Sequence, residues 1–327
     1  MEPATLNPQA AALIALIDAS GRPPMHRLSV ADARADYLAR RHIVQPDAPP
    51  VASVVERFLD VDGCRVPVRH YRPAGSADRQ PLPALVYLHG GGWTIGDRDS
   101  HDVLCRLLAN GSGCAVFNVD YRMGPEHRFP AAVDDAVAAV RWVAAGADAL
   151  GVDPNRLAIG GDSAGGNLSA VAAITLRDAG GPRVALQLLI YPATDLRMGH
   201  DSHTRNGEGY LLTAELMRWF RAHYLADPGQ ALDWRASPLL AARLDDLPPA
   251  FLLTAGFDPL VDEGLAYARR LEQAGVPVES AHFESQIHGF ITMGRVLDDA
   301  NRAVERCCEA LRTAFRPRPP GRDDRPA

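Results

Sequence analysis

The chain has 327 residues, 47% of them hydrophobic and 23% charged, enough to bury the core of one large α/β domain, and its net charge of −6 gives no general attraction to nucleic acid or an anionic membrane. All 34 basic residues are arginine, which excludes mechanisms that need a lysine, among them Schiff-base catalysis, a P-loop and a Ser-Lys pair. The five cysteines (Cys64, Cys105, Cys114, Cys307, Cys308) show neither metal-binding spacing nor the density of a secreted disulfide scaffold, and point to reduced thiols in a cytoplasmic protein.

Residues 1–50 carry helical patterning at 8–19 and 30–41, broken by Pro23-Pro24 and closed by Pro49-Pro50, and read as an N-terminal cap segment. The apolar run 11–17 is preceded by Glu2, lacks a basic flank and ends at Asp18, so neither a targeting segment nor integral membrane association is expected. From residue 53 the period shortens. Strands are expected at 53–60 and 65–71, as a hairpin about Asp62-Gly63, and then at 84–88, 115–119, 157–159, 184–190, 251–254 and 278–283. Helix-length segments at 100–109, 131–144, 166–177, 262–273 and 294–315 alternate with them. The pattern is that of an α/β fold, with an eight-stranded, mostly parallel sheet flanked by helices. The core is read as 51–194 and 241–315. Residues 195–240 are too long for a connection, contain a helical run at 214–225, and read as a cap insertion. The arginine- and proline-rich end, 316–327, has no apolar face and reads as a disordered tail.

The chemistry-bearing residues punctuate the ends of these strands. His89-Gly90-Gly91-Gly92 directly follows the strand 84–88, where three glycines can turn sharply and present bare amides, so Gly91 and Gly92 are candidate oxyanion donors. Ser163 lies in Gly161-Asp162-Ser163-Ala164-Gly165, between a strand and a small-residue helix. That is the context of a nucleophile elbow, with the Ala164 amide as the third donor. Asp258 stands past the strand 251–254 with Pro259 beside it, a candidate to hold an imidazole in one tautomer; Asp262 and Glu263 fall in the following helix and read as complements to its dipole. His288 follows the last strand, where the base of the order Ser, Asp, His should fall, while His282 lies within that strand. His200 and His203 have no third ligand nearby, so no metal site is expected. In the loop 121–130, Arg122 and Glu126 are expected to pair. Trp93, Tyr210 and Leu211 are candidates for the substrate pocket.

Taken together, HGGGW (89–93), YRMGPEHRFPAA (121–132), GDSAGG (161–166), DPL (258–260) and HGF (288–290) closely resemble the hormone-sensitive-lipase family of α/β-hydrolases, in particular its bacterial GDSAG-type esterases. The resemblance runs from the N-terminal helix to about residue 311. It implies cofactor-free hydrolysis of short- to medium-chain acyl esters, a small-molecule ester as substrate, Ser163 as nucleophile, Asp258 as acid and His288 as base. The loop departs from the usual YRLAPEHPFPAA at Met123, Gly124 and Arg128, which touches packing and not catalysis. Acyl transfer or amide hydrolysis would use the same acyl-enzyme. A non-catalytic receptor on this scaffold is a further alternative, though related plant gibberellin receptors lack the histidine that is present here as His288. Oligomeric state is open, a homodimer included.

Overall fold

The structure is a computed structural model that describes residues 4–76 and 81–316; of the expected tail, residues 317–327 lie outside the described residues. Eight strands form one sheet: β1 (Ser53–Val61), β2 (Cys64–Arg72), β3 (Leu82–Leu88), β4 (Ala115–Val119), β5 (Val152–Asp162), β6 (Leu186–Ile190), β7 (Ala250–Phe257) and β8 (Val278–Ile287). Their spatial order is β1-β2-β4-β3-β5-β6-β7-β8. Only β2 runs against its neighbours; every other adjacent pair is parallel. The β1–β2 hairpin turns at Asp62 and Gly63, both with positive φ, which suits the right-handed twist of the strands.

Helices cover both faces, so the central strands are apolar on both sides. In β3, Ala84, Val86 and Leu88 pack on one face, while Leu85 and Tyr87 face the cluster beneath α3 (Asp102–Ser112) and α10 (Asp298–Ala314). The first face is covered by α4 (Ala131–Ala145) and α6 (Ala164–Asp178), with α9 (Val261–Gln273) packed further along. Small side chains let α6 lie close on the sheet, and from Ala164 to Ile174 every residue is buried.

Two segments lie over the carboxyl ends of the parallel strands. The first carries α1 (Pro8–Ala19), capped by the Asn7 side chain, and α2 (Val30–Val44), capped by Ser29. Arg34 of α2 reaches the carbonyls of Thr94 (2.8 Å) and Gly124 (2.9 Å) and makes two bonds to Glu126. The second, residues 195–240, carries the short α7 (Ser202–Arg205) and α8 (Ala214–Tyr224), the latter capped by Thr213. Its two ends meet on one buried amide, because Asn167 of α6 donates to both Ala193 and Ala236 carbonyls.

The loop 121–130 corrects one expectation. Arg122 forms a bidentate pair with the buried Asp135 of α4, and Glu126 is taken by Arg34. Two of the three departures in that loop, Gly124 and Arg128, have a local reason in α8. Arg128 donates to the carbonyls of Ala222 (2.7 Å) and Leu225 (2.6 Å) at the end of the helix, and a Cβ on Gly124 would strike the carbonyl of His223.

Candidate active site

Ser163 occupies the turn between β5 and α6 with φ 56° and ψ −115°, a conformation that L side chains rarely adopt. The turn is held by a bond from the Ser163 amide to the Ile190 carbonyl (2.8 Å). Its flanking glycines are a steric necessity: a Cβ on Gly161 or Gly165 would run into the carbonyl of Leu88 at the end of β3. The elbow and the glycine loop that follows β3 are therefore packed against each other, backbone to backbone.

Three side chains distant in sequence converge here. The Ser163 hydroxyl lies 2.9 Å from His288 Nε2, and His288 Nδ1 lies 2.7 Å from Asp258 Oδ2. Asp258 is fully buried, and its other oxygen accepts the Leu260 amide at 2.8 Å. The His288 ring rests 4.6 Å from that of Tyr191, itself held at positive φ at the end of β6. His282 points elsewhere, to the Thr254 hydroxyl.

In the loop after β3, Gly91, Gly92 and Trp93 all have positive φ. The Gly91 carbonyl accepts the amides of Thr94 and Ile95, and the Gly90 carbonyl meets His89 Nδ1 at 2.8 Å. Because N–H and C=O point oppositely across a trans peptide, the amides of Gly91 and Gly92 are directed away from these contacts, and both residues line the cavity above Ser163. The Ala164 amide is the first of α6 and has no carbonyl of its own helix to bond.

Beneath that loop lies a group whose role the sequence did not disclose. Asp162 is buried and accepts the Tyr87 hydroxyl (2.7 Å) and the Gly90 amide (2.9 Å), with His101 Nε2 at 3.2 Å. Burial works against its charge, but His101, Tyr87 and the Gly90 amide outweigh it and hold the carboxyl below the usual range. The available signal was a carboxylate set inside a glycine-rich turn, where water could not reach it. Glu263, too, is more than a dipole complement: it is buried, with one oxygen on the Thr194 and Asp195 amides and the other 2.8 Å from His203 Nε2. His200 meets Asp195 instead, and among the described residues no cluster of three or more His, Cys, Asp or Glu could hold a metal ion.

A cavity of about 560 Å³ opens above Ser163 and His288, within the range of small-molecule sites. Its wall is mostly apolar, with Leu13, Ile14 and Ile17 from α1 and Leu216, Met217 and Phe220 from α8. Trp93 and Leu211 line it. Tyr210 does not; Leu211 has positive φ, and the Tyr210 ring packs 5.0 Å from Phe257 instead. Phe220 closes the cavity beside the glycine loop, since a Cβ on Gly92 would strike its ring.

Comparison with known proteins agrees with this fold. A family model described as the alpha/beta hydrolase fold matches residues 85–292. The chain is 42% identical over 320 residues to an ethyl acetate hydrolase of Pseudomonas putida, covering 94% of this chain and 98% of that one. It is 42% identical over 278 residues to the carboxylesterase NlhH of Mycobacterium tuberculosis, covering 83% and 85%. An ester hydrolase from the metagenome of Lake Arreo, solved with a bipyridine phosphonate derivative, superposes with a TM-score of 0.92 at 42% identity, covering 95% and 99%. Among the described residues no helix is long and apolar enough to cross a membrane. The chain belongs to the α/β-hydrolase family, as a relative of its hormone-sensitive-lipase branch.

Proposed function

We propose that the protein is a serine carboxylesterase acting on short- to medium-chain acyl esters. The observation that carries this reading is the unbroken hydrogen-bond chain from Ser163 through His288 to Asp258 at the floor of an apolar cavity. Esterase and hydrolase relatives of this similarity support it. Ser163 attacks the ester carbonyl while His288 Nε2 takes its proton, and Asp258 keeps the imidazole in the tautomer with Nε2 free to accept. The alkoxide that develops is met by the amides of Gly91, Gly92 and Ala164; removing one such donor typically costs about 3 kcal/mol of transition-state stabilisation. His288 returns the proton to the leaving alcohol, and water, activated by the same ring, releases the acid. Trp93 and Leu211 are proposed as pocket walls, residues 1–50 and 195–240 as the cap, and the closure by Phe220 as the limit on acyl length.

Replacing Ser163 with Ala should abolish hydrolysis of p-nitrophenyl acyl esters and labelling by a phosphonate probe, with the circular-dichroism spectrum unchanged. Substantial turnover in that variant refutes the assignment.

A further inference from the structure

We propose that α7 is a clasp on the loop bearing Asp258, and that Asn206 is a positioning residue holding this carboxylate against His288. The proposal rests on the triad reading above.

Just before Asp258 the β7–β8 ladder is interrupted at Gly256: its register shifts between Ala255 and Phe257, and β7 ends at Phe257, the last residue paired to β8. A Cβ on Gly256 would strike the backbone of Glu284, so this irregularity leaves no room for a side chain. A strand that ends this way leaves buried carbonyls without ladder partners, and such groups must be bonded elsewhere. One side chain answers both: the Asn206 amide donates to the carbonyls of Gly256 and Asp258, each at 3.0 Å. Asn206 is buried and lies some fifty residues from its acceptors, so the contact is tertiary and belongs to the insertion.

The rest of α7 grips the same turn. The Ser202 hydroxyl donates to the Pro259 carbonyl (2.6 Å), its amide donates to Asp262 (2.8 Å), and His203 meets Glu263. Every one of these contacts falls on residues 256–263, and none of Ser202, His203 and Asn206 itself lines the cavity. The segment that covers the substrate is thereby also the one that sets where the acid stands.

The expected signature is a loss in turnover rather than in binding. A displacement near 1 Å in a catalytic group can cost about 100-fold, so Asn206→Ala should lower kcat at least about 10-fold with KM little changed. Asn206→Asp keeps the shape but has no donors when ionised, and should fall at least as far. The downfield Nδ1–H resonance of His288 should move upfield or broaden in both. A purely structural Asn206 would lower the melting temperature while leaving kcat per folded molecule and that resonance as they are, and this result overturns the clasp. If Asn206→Ala does not fold, Ser202→Ala, which loses only the hydroxyl contacts, carries the test: wild-type kcat and resonance there count against the proposal. Loss of activity in Ser163→Ala alongside wild-type turnover in Asn206→Ala would sink the clasp alone; activity in Ser163→Ala would sink the triad.

Discussion

Substituting Asp162 with Asn probes the foundation of the oxyanion loop without touching the reacting atoms. The carboxylate holds the Tyr87 hydroxyl, the Gly90 amide and His101 Nε2 in a buried site. Hydrogen bonds to a charged group contribute about 1.5–3 kcal/mol, against about 1 kcal/mol between neutral groups. An asparagine oxygen can still serve Tyr87 and Gly90 at neutral strength, but its amide replaces the acceptor that faced His101. The expected loss is about 2–4 kcal/mol, which corresponds to a melting temperature lowered by roughly 3–6 °C in a chain of this size. Because Gly90 is the anchored end of the segment presenting Gly91 and Gly92, kcat should fall by at least about 10-fold as the donors lose their aim. The pH dependence has a definite sign. A carboxyl held below its usual range contributes stability that is fully present above its unfolded pKa of about 3.9 and is lost as pH falls through the lower folded value. The wild-type protein should therefore show an acid unfolding limb below about pH 4 that is shallower in the variant. Differential scanning fluorimetry from pH 3 to 8, with kcat on a p-nitrophenyl ester, checks all three. An Asn variant with unaltered melting, turnover and acid limb would refute the reasoning.

Truncating Phe220 to Ala removes the ring seated on Gly92 and should move the acyl-length preference toward longer chains while lowering stability by about 3 kcal/mol; an unchanged chain-length profile over a p-nitrophenyl ester series would contradict its role as the limiting wall. A double-mutant cycle on Arg122 and Asp135 should give a coupling of about 1.5 kcal/mol or more in urea denaturation, whereas the same cycle on Arg122 and Glu126 should give about zero. Equal couplings would mean that the loop 121–130 is packed differently.

The order of the motifs made the fold and the candidate triad readable, because each of these motifs follows the end of a strand. The glycines about Ser163 and after His89 mark close approaches whatever surrounds them, and β4 and α1 emerged with the bounds their patterning predicted. Strand β5 was expected only at 157–159; it runs from Val152 to Asp162, since glycine and aspartate at its end and polar residues at its start carry no strand signal of their own. What stayed hidden is tertiary. Arg122 finds Asp135 thirteen positions on, across a turn and into a helix, where no local spacing rule reaches. Tyr210 and Leu211 are adjacent, and it is Leu211, at positive φ, that lines the cavity. Asp162 and Asn206 acquire their roles from partners 50 to 75 residues away.

Arg34 gives the N-terminal helices a second duty. By bonding the carbonyls of Thr94 and Gly124 and clamping Glu126, it braces the rim of the reaction floor from above. Trimming the chain past that point, or grafting a lid from another esterase, would do more than widen the entrance: it would cut a strut between the roof and the loop beside Trp93. A segment exchanged for residues 1–50 would keep this brace only if it brought an equivalent guanidinium.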